Sequence, residues 1–324
     1  MHGPGKPVDP PVPRASESRG QGAFAGPWRW LMGRPYLLLT LTTLSWAGNA
    51  VASRLATGHI SPMALTTLRW VAVVALLTPL MIRPVRAEAH VLRPIWLRIL
   101  VMGAVGFTAF NALMYAAAYY TTAVNMAIIQ GSIPVFVLLG ALAAFGTRIG
   151  LLQAIGTAIT LAGVAAIAAR GDLAVLASFS FYTGDVYMLI ACASYAVYTL
   201  MLRDRPKVPG FVFFAVIATS ALLVSTPLLL WEIAAGSVIW PDLRGWLILL
   251  YVTLFPSLLS QIFFMRGVEL IGPGRAGLFV NLVPVFGAIL GVAILGEPFR
   301  WYHAVGLVLV LGGIWLAERK RAAG

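Results

Sequence analysis

From residue 35 onward the chain is a succession of apolar runs, each about the length that a membrane helix needs, separated by short breaks containing Gly, Pro or charge. A bilayer hydrocarbon core of about 30 Å takes roughly 20 apolar residues in a helix. On that ruler the pattern predicts ten spans, at 35–54, 61–82, 96–119, 121–146, 150–169, 183–203, 209–232, 246–269, 272–296 and 301–317. The breaks read TGHISP, an Arg-rich stretch from Arg83 to Arg93, GTRIG, RDRPKVPG, SVIWPDLRG, IGPGR and GEPFR. Only Tyr119-Tyr120-Thr121-Thr122 separates the third span from the fourth.

Composition agrees with this pattern. Of 324 residues, 60% are apolar and 10% charged, and the mean hydropathy is +0.88; a water-soluble domain carries about 25% charged residues. The expected class is an all-α integral membrane protein, which excludes soluble enzymes, nucleic-acid readers and secreted scaffolds. The net charge of +12 adds orientation rather than a nucleic-acid partner, because the basic residues sit in the breaks. With an inside N-terminus, 18 of 23 Lys and Arg fall inside and four outside, at Arg54, Arg170, Arg244 and Arg300. Lys and Arg resist translocation, so both termini are expected in the cytoplasm. Residues 1–33 are expected to form a disordered tail, rich in Pro, Gly and Ser, ending in an interfacial anchor of Trp28, Trp30, Arg29 and Arg34. The single cysteine, Cys192, lies in an apolar run and leaves no intramolecular disulfide.

A shift of 150 residues superimposes the chain on itself. Trp96-Leu97 falls on Trp246-Leu247, Asn111 on Gln261, and Pro134-Val135-Phe136 on Pro284-Val285-Phe286. From 134 to 163 nine of thirty positions are identical, among them Gly146, Gly156 and Gly163 over Gly296, Gly306 and Gly313. Two repeats are therefore expected, at 34–170 and 183–318, each with five spans. An odd number of spans forces the second copy in from the opposite side, so the halves should be inverted about an axis in the membrane plane. That is a secondary-transporter architecture, with its substrate site near the midplane.

The segments LSWAGNAVASRLA (44–56), SPMALTTLRWVAVVALL (61–77), IPVFVLLGALAAFG (133–146) and LVPVFGAILGVAILGEP (282–298) resemble the EamA family of the drug/metabolite transporter superfamily. The resemblance covers nearly the whole chain beyond the tail. It implies a bacterial inner-membrane carrier with ten helices in two five-helix repeats, exporting amino acids or related metabolites. Exporters of aromatic amino acids are one subgroup.

Polar groups inside a span cost free energy unless they are paired or face water. Gly103, Phe107, Asn111 and Met114 share one face of the third span, and their repeat partners are Thr253, Ser257, Gln261 and Phe264. Trp46 and Asn49 lie on a stripe of the first span, and Tyr195 and Tyr198 on one of the sixth. The expected substrate site is thus Trp46, Asn49, Asn111, Tyr195, Tyr198 and Gln261, weighed against plain helix packing. Pro134 and Pro284 deprive the carbonyls of Gln130 and Val280 of their helical partners and are expected to act as hinges. Gly106 and Pro256 form a second flexible pair. Arg69, the one Arg within a span, is read as structural, capping carbonyls or snorkelling.

Asp185, Glu232, Glu269 and Glu297 all fall near span ends, so no buried carboxylate is expected to couple transport to protons. No nucleotide loop or zinc-protease motif is present. The expected function is alternating-access export, with a small-molecule substrate and membrane lipid as partners. Neither cofactor nor metal, enzymatic activity, nucleic acid nor obligatory protein partner is expected. The competing classes are a membrane-embedded enzyme or receptor-like scaffold and, within transport, a nonselective channel or drug exporter.

Overall fold

A computed structural model describes residues 25–146, 149–172 and 182–318, which are helical and contain no strand. The expected tail at 1–24, Arg148 and the basic cluster at 319–321 lie outside the described residues. A short helix, α1 (Ala25–Met32), carries Trp28 and Trp30, both exposed, so the segment expected to be a tail and anchor is helical at its end. Arg34 lies over the Trp30 ring at 5.3 Å, and Arg266 Nε donates to Met32 O at 3.2 Å.

Next comes α2 (Pro35–Ala56), 22 residues long and relatively rich in Thr, Ser and Asn. Eight helices follow that are long and apolar enough to cross a membrane: α3 (Pro62–Ala87), α4 (Ala89–Ala117), α5 (Ala123–Phe145), α6 (Leu151–Ala168), α7 (Thr183–Asp204), α8 (Gly210–Ala234), α9 (Leu243–Ile271) and α10 (Arg275–Leu295). The shorter apolar α11 (Trp301–Ala317) ends the described chain.

Local chemistry explains the ends. Pro35 and Pro62 occupy first turns, where a missing N–H costs nothing. Thr122 caps α5 by accepting from Asn125 N at 3.1 Å, which resolves the Tyr119–Thr122 break into a turn. Asp242 caps α9, accepting from Gly245 N at 2.8 Å. That bond, followed by one with the His59 ring at 2.7 Å, holds its carboxyl below the ordinary carboxylate range. Gly146 and Gly296 end α5 and α10 in left-handed conformations, with φ of 61° and 66°. The Arg83–Arg93 break is shorter than expected. Helix α3 runs through Pro79 and Pro84 to Ala87, lifting the exposed Arg83 and Arg86 on a helical extension, and α4 begins at Ala89.

The helices pack in a recurring pattern. α3 lies on α8, α6 on α11 and α5 on α10; α2 touches α9 and α10, while α7 touches α4 and α5. Glycine permits the closest of these contacts. A Cβ on Gly163 would stand 2.9 Å from Gly306 O, and one on Gly313 would lie 2.7 Å from Thr160 N. Backbones separated by so little space leave no room for side chains.

Candidate functional site

Four helices are interrupted, and the interruptions recur 150 residues apart. In α4 the turn Gly103–Ala109 is π-helical, and in α9 so is Thr253–Leu259. π-turns inside α-helices often mark functional sites. Pro256 explains the second: having no N–H to donate to Val252 O, it denies that carbonyl its α-helical partner and favours the wider turn, and Ser257 Oγ donates to the same carbonyl at 2.6 Å. α5 stops at Gln130 and restarts at Ile133; α10 stops at Val280 and restarts at Val283. Here the expected kink is a full break. Pro134 and Pro284 sit in the first turn of the restarted segments, where their ring fits the helix and no bond is lost.

All four interruptions border one cavity of about 140 Å³. Trp46, Asn49, Asn111, Tyr195 and Gln261 line it, together with Pro134 and Pro284. Tyr198 does not: it is buried behind the wall, with its ring 5.4 Å from Tyr195 and 5.5 Å from Phe107. There it fills the space that Gly106 leaves, since a Cβ on Gly106 would lie 2.7 Å from Tyr198 Cδ2. The Trp46 ring packs on Phe264 at 5.4 Å, and its Nε1 donates to Pro256 O at 3.3 Å, tying α2 to the π-turn of α9.

The residue that sequence reasoning set aside is the centre of the wall. Arg69 is 4% exposed and lines the cavity. Its Nε donates to Ser257 Oγ at 2.7 Å, and one terminal nitrogen donates to Asn111 Oδ1 at 2.5 Å and Tyr115 OH at 2.6 Å. Asn111 Nδ2 in turn donates to Phe107 O at 2.6 Å, and Tyr115 OH donates to Asn49 Oδ1 at 3.4 Å. Beneath this set Trp70 stacks on Phe107, centroids 4.9 Å apart and planes 8° apart, with the Arg69 guanidinium 5.1 Å from the Trp70 ring. No carboxylate pairs with Arg69 among the described residues. Three of the five donors of a guanidinium are spent on neutral groups, and the charge itself is uncompensated.

The amides divide into two kinds. Asn111 and Asn49 are committed to the Arg69 cluster, whereas the half-buried Gln130, Gln261 and Asn281 line the cavity with side chains that have no hydrogen-bond partner among the described residues. The signal for Arg69 was present in the sequence, as a lone Arg within a span with no acidic residue at its depth. What the sequence did not show was that Asn111, from another helix, reaches it.

The expectation about carboxylates needs correction. Asp185 is 0% exposed and Glu232 6%, so two of the four acids near span ends are buried. Helix ends at this side of the bundle pack beneath neighbouring segments, and sequence position alone did not reveal it. Glu269 stays at the surface, paired with Arg266 at 3.0 Å.

Comparison with known proteins agrees with this architecture. An uncharacterised transporter of Archaeoglobus fulgidus is 27% identical over 89% of this chain and 98% of its own length. The uncharacterised transporter YyaM of Bacillus subtilis is 25% identical over 81% of this chain and 86% of its own. A protein of known crystal structure, 19% identical, matches the fold with a TM-score of 0.60 over 90% of this chain and 99% of its own. The model of the EamA-like transporter family matches twice, at residues 33–169 and 182–318. The chain is a multi-pass membrane protein that belongs to the EamA-like transporter family.

Proposed function

We propose that this transporter is a secondary carrier exporting large neutral or aromatic amino acids across a bacterial inner membrane by alternating access. In this reading α2 and α11 also span, which gives ten transmembrane helices in two inverted five-helix halves, 34–170 and 183–318, with both termini cytoplasmic. Two observations support the inversion. The helix interruptions recur at one shift of 150 residues, and exchanging the halves maps the helix pairings onto themselves, α2 on α9 becoming α7 on α4.

The observation that carries the substrate assignment is Arg69, a buried cation with no carboxylate partner among the described residues, on the wall of a cavity bounded by broken helices. A buried charge is stable only when matched, and a substrate carboxylate supplies the match. Gln130, Gln261 and Asn281 offer neutral hydrogen bonds to an amino group or ring substituent, and Trp46, Phe107, Phe110 and Tyr195 offer apolar walls. Apolar pockets separate similar side chains by only about 1–3 kcal/mol per methylene, so several large neutral amino acids should compete.

Counterflow in proteoliposomes tests the reading. Labelled phenylalanine should accumulate against unlabelled leucine or tryptophan in the lumen, and preloaded cells making the protein should lose label faster than cells without it. An enzyme or scaffold would give no counterflow, and a channel would show no trans-stimulation. Gln261→Ala should raise the half-saturation concentration about 5- to 10-fold, the worth of one neutral hydrogen bond of about 1 kcal/mol, with little change in thermal stability because the Gln261 side chain has no hydrogen-bond partner among the described residues. A reporter that is active only outside the cytoplasm, fused after Gly324, should stay silent; activity there would overturn the ten-span orientation.

A further inference from the structure

At the end of the bundle that charge bias assigns to the outside, polar contacts tie one half of the chain to the other. Glu297 accepts from Ala123 N and Val124 N at 2.9 Å each and lies 3.8 Å from Arg54. Within the first half, Arg54 also donates to Ala118 O. Glu232 accepts from Ser61 Oγ at 2.6 Å, and His59 meets Asp242 at 2.7 Å. The most deeply buried of these ties is a chain of three side chains, His303, Asn125 and Asp185.

Its directions follow from the donors. Arg300 N–H donates to His303 Nδ1 at 2.9 Å, so the ring hydrogen is on Nε2, which donates to Asn125 Oδ1 at 2.9 Å. That fixes the Asn125 amide with its nitrogen toward Thr121 Oγ at 3.2 Å and Asp185 Oδ1 at 3.4 Å. Thr121 Oγ donates to the same Oδ1 at 2.5 Å. His303 is therefore a neutral donor at the head of the chain and supplies no counter-charge. Arg170 acts electrostatically on both groups, but its guanidinium lies 3.4 Å from the Tyr182 ring and, among the described residues, forms no ion pair with Asp185. The other charged groups on the packed elements, Arg300, Glu297 and Arg54, are engaged as described or bear on His303.

Asp185 Oδ2 is fully buried and has no hydrogen-bond partner among the described residues. A carboxyl with two donors on one oxygen and none on the other, buried one has the geometry of a neutral acid, carbonyl at Oδ1 and hydroxyl at Oδ2. Burying the ionised form there without an ion-pair partner costs more than burying the hydroxyl. Thr121 and Asn125 belong to the first half and Asp185 and His303 to the second, so parting the halves breaks the chain at both ends and lets water reach Asp185.

We infer that Asp185 is a proton-binding site at the outer gate: it holds a proton at Oδ2 while the outer end is closed and releases it to the outer solution when the end opens. Acid outside then favours closure and alkali favours opening. One proton bound only in the closed state shifts the equilibrium by up to tenfold per pH unit. The inference rests on the alternating-access reading, and its test needs no substrate.

In a Cys192→Ala background, Met114→Cys places a thiol on the cavity wall below this closure. Its labelling by a membrane-impermeant maleimide, in right-side-out vesicles, is divided by that of Ala235→Cys, which is exposed and corrects for thiol ionisation. The ratio should rise several-fold, and at most tenfold, for each pH unit from mildly acidic to mildly alkaline buffer. Asp185→Asn, an imitation of the neutral acid, should give a flat ratio, and His303→Gln should keep the slope. Thr121→Val keeps the carboxyl but removes a donor that favours its ionised form, and should move the midpoint to higher pH. A slope that survives Asp185→Asn, a Thr121→Val midpoint that does not move, or a thiol unlabelled at every pH overturns the inference. Normal pH-dependent labelling without counterflow would overturn the amino acid carrier reading and leave the proton site standing.

Discussion

Arg69→Gln should raise the half-saturation concentration for a carboxylate-bearing substrate about 10- to 100-fold, the loss expected when a hydrogen bond to a charged group worth about 1.5–3 kcal/mol disappears. Arg69→Lys should recover only part of this, because an ammonium is a point charge without the planar fork that matches a carboxylate. A solute of similar shape without the carboxylate, such as labelled phenethylamine, should be affected little. Removing the guanidinium also strips partners from Ser257, Asn111 and Tyr115. Some loss of stability is therefore expected, and thermal unfolding in detergent must be measured beside transport. A purely structural Arg69 gives the opposite pattern: a lower unfolding temperature with an unchanged half-saturation concentration for every solute. Asn111→Ala should reproduce a milder form of the Arg69 defect, since Asn111 acts by holding the guanidinium rather than by meeting substrate.

The second large effect belongs to the α6–α11 contact. Gly156→Leu and Gly313→Leu should each destabilise the protein by about 2–3 kcal/mol, at the upper end of the usual cost of overpacking. The obstacles are backbone atoms, which cannot move to another rotamer: a Cβ on Gly156 would lie 2.7 Å from Ala317 N, and one on Gly313 would lie 2.7 Å from Thr160 N. Gly312 is the control on the same helix, because a Cβ there meets nothing within 4 Å. Gly312→Leu should leave the unfolding temperature within the scatter of the wild type, while its neighbour Gly313→Leu lowers it and broadens the elution profile. Equal behaviour of the two variants would show that α6 and α11 are not packed backbone to backbone.

The Leu, Val, Ala and Ile runs determined the membrane class and most helix limits, because in lipid every backbone group must be satisfied within its own segment and the hydrocarbon thickness sets the length. The aligned pairs Pro134 and Pro284, Gly146 and Gly296, and Asn111 and Gln261 made the repeat legible, since such residues act locally through φ or a missing N–H. Five of the six expected site residues meet at one cavity for the same reason: a stripe of polar groups on an apolar helix has few places to face.

Other features were decided by contacts between distant segments. The full breaks in α5 and α10, at Gly131–Ser132 and Asn281–Leu282, are more than a local proline rule specifies, since Pro134 and Pro284 fit the first turns of the restarted segments. Tyr198 shares a helical stripe with Tyr195, yet the space left by Gly106 draws it behind the wall. Asp185, near a span end in sequence, is buried against Thr121 and the first turn of α5, where Asn125 meets it. Arg69 shows the difference most clearly. The sequence determined that a guanidinium lies within a span, whereas only the tertiary structure decided its partners, by bringing Ser257, Asn111 and Tyr115 to it from α9 and α4 and no carboxylate from anywhere among the described residues. Apolar periodicity encodes which face of a helix is buried, but the partner across the interface depends on how whole helices cross, a property of the assembled bundle.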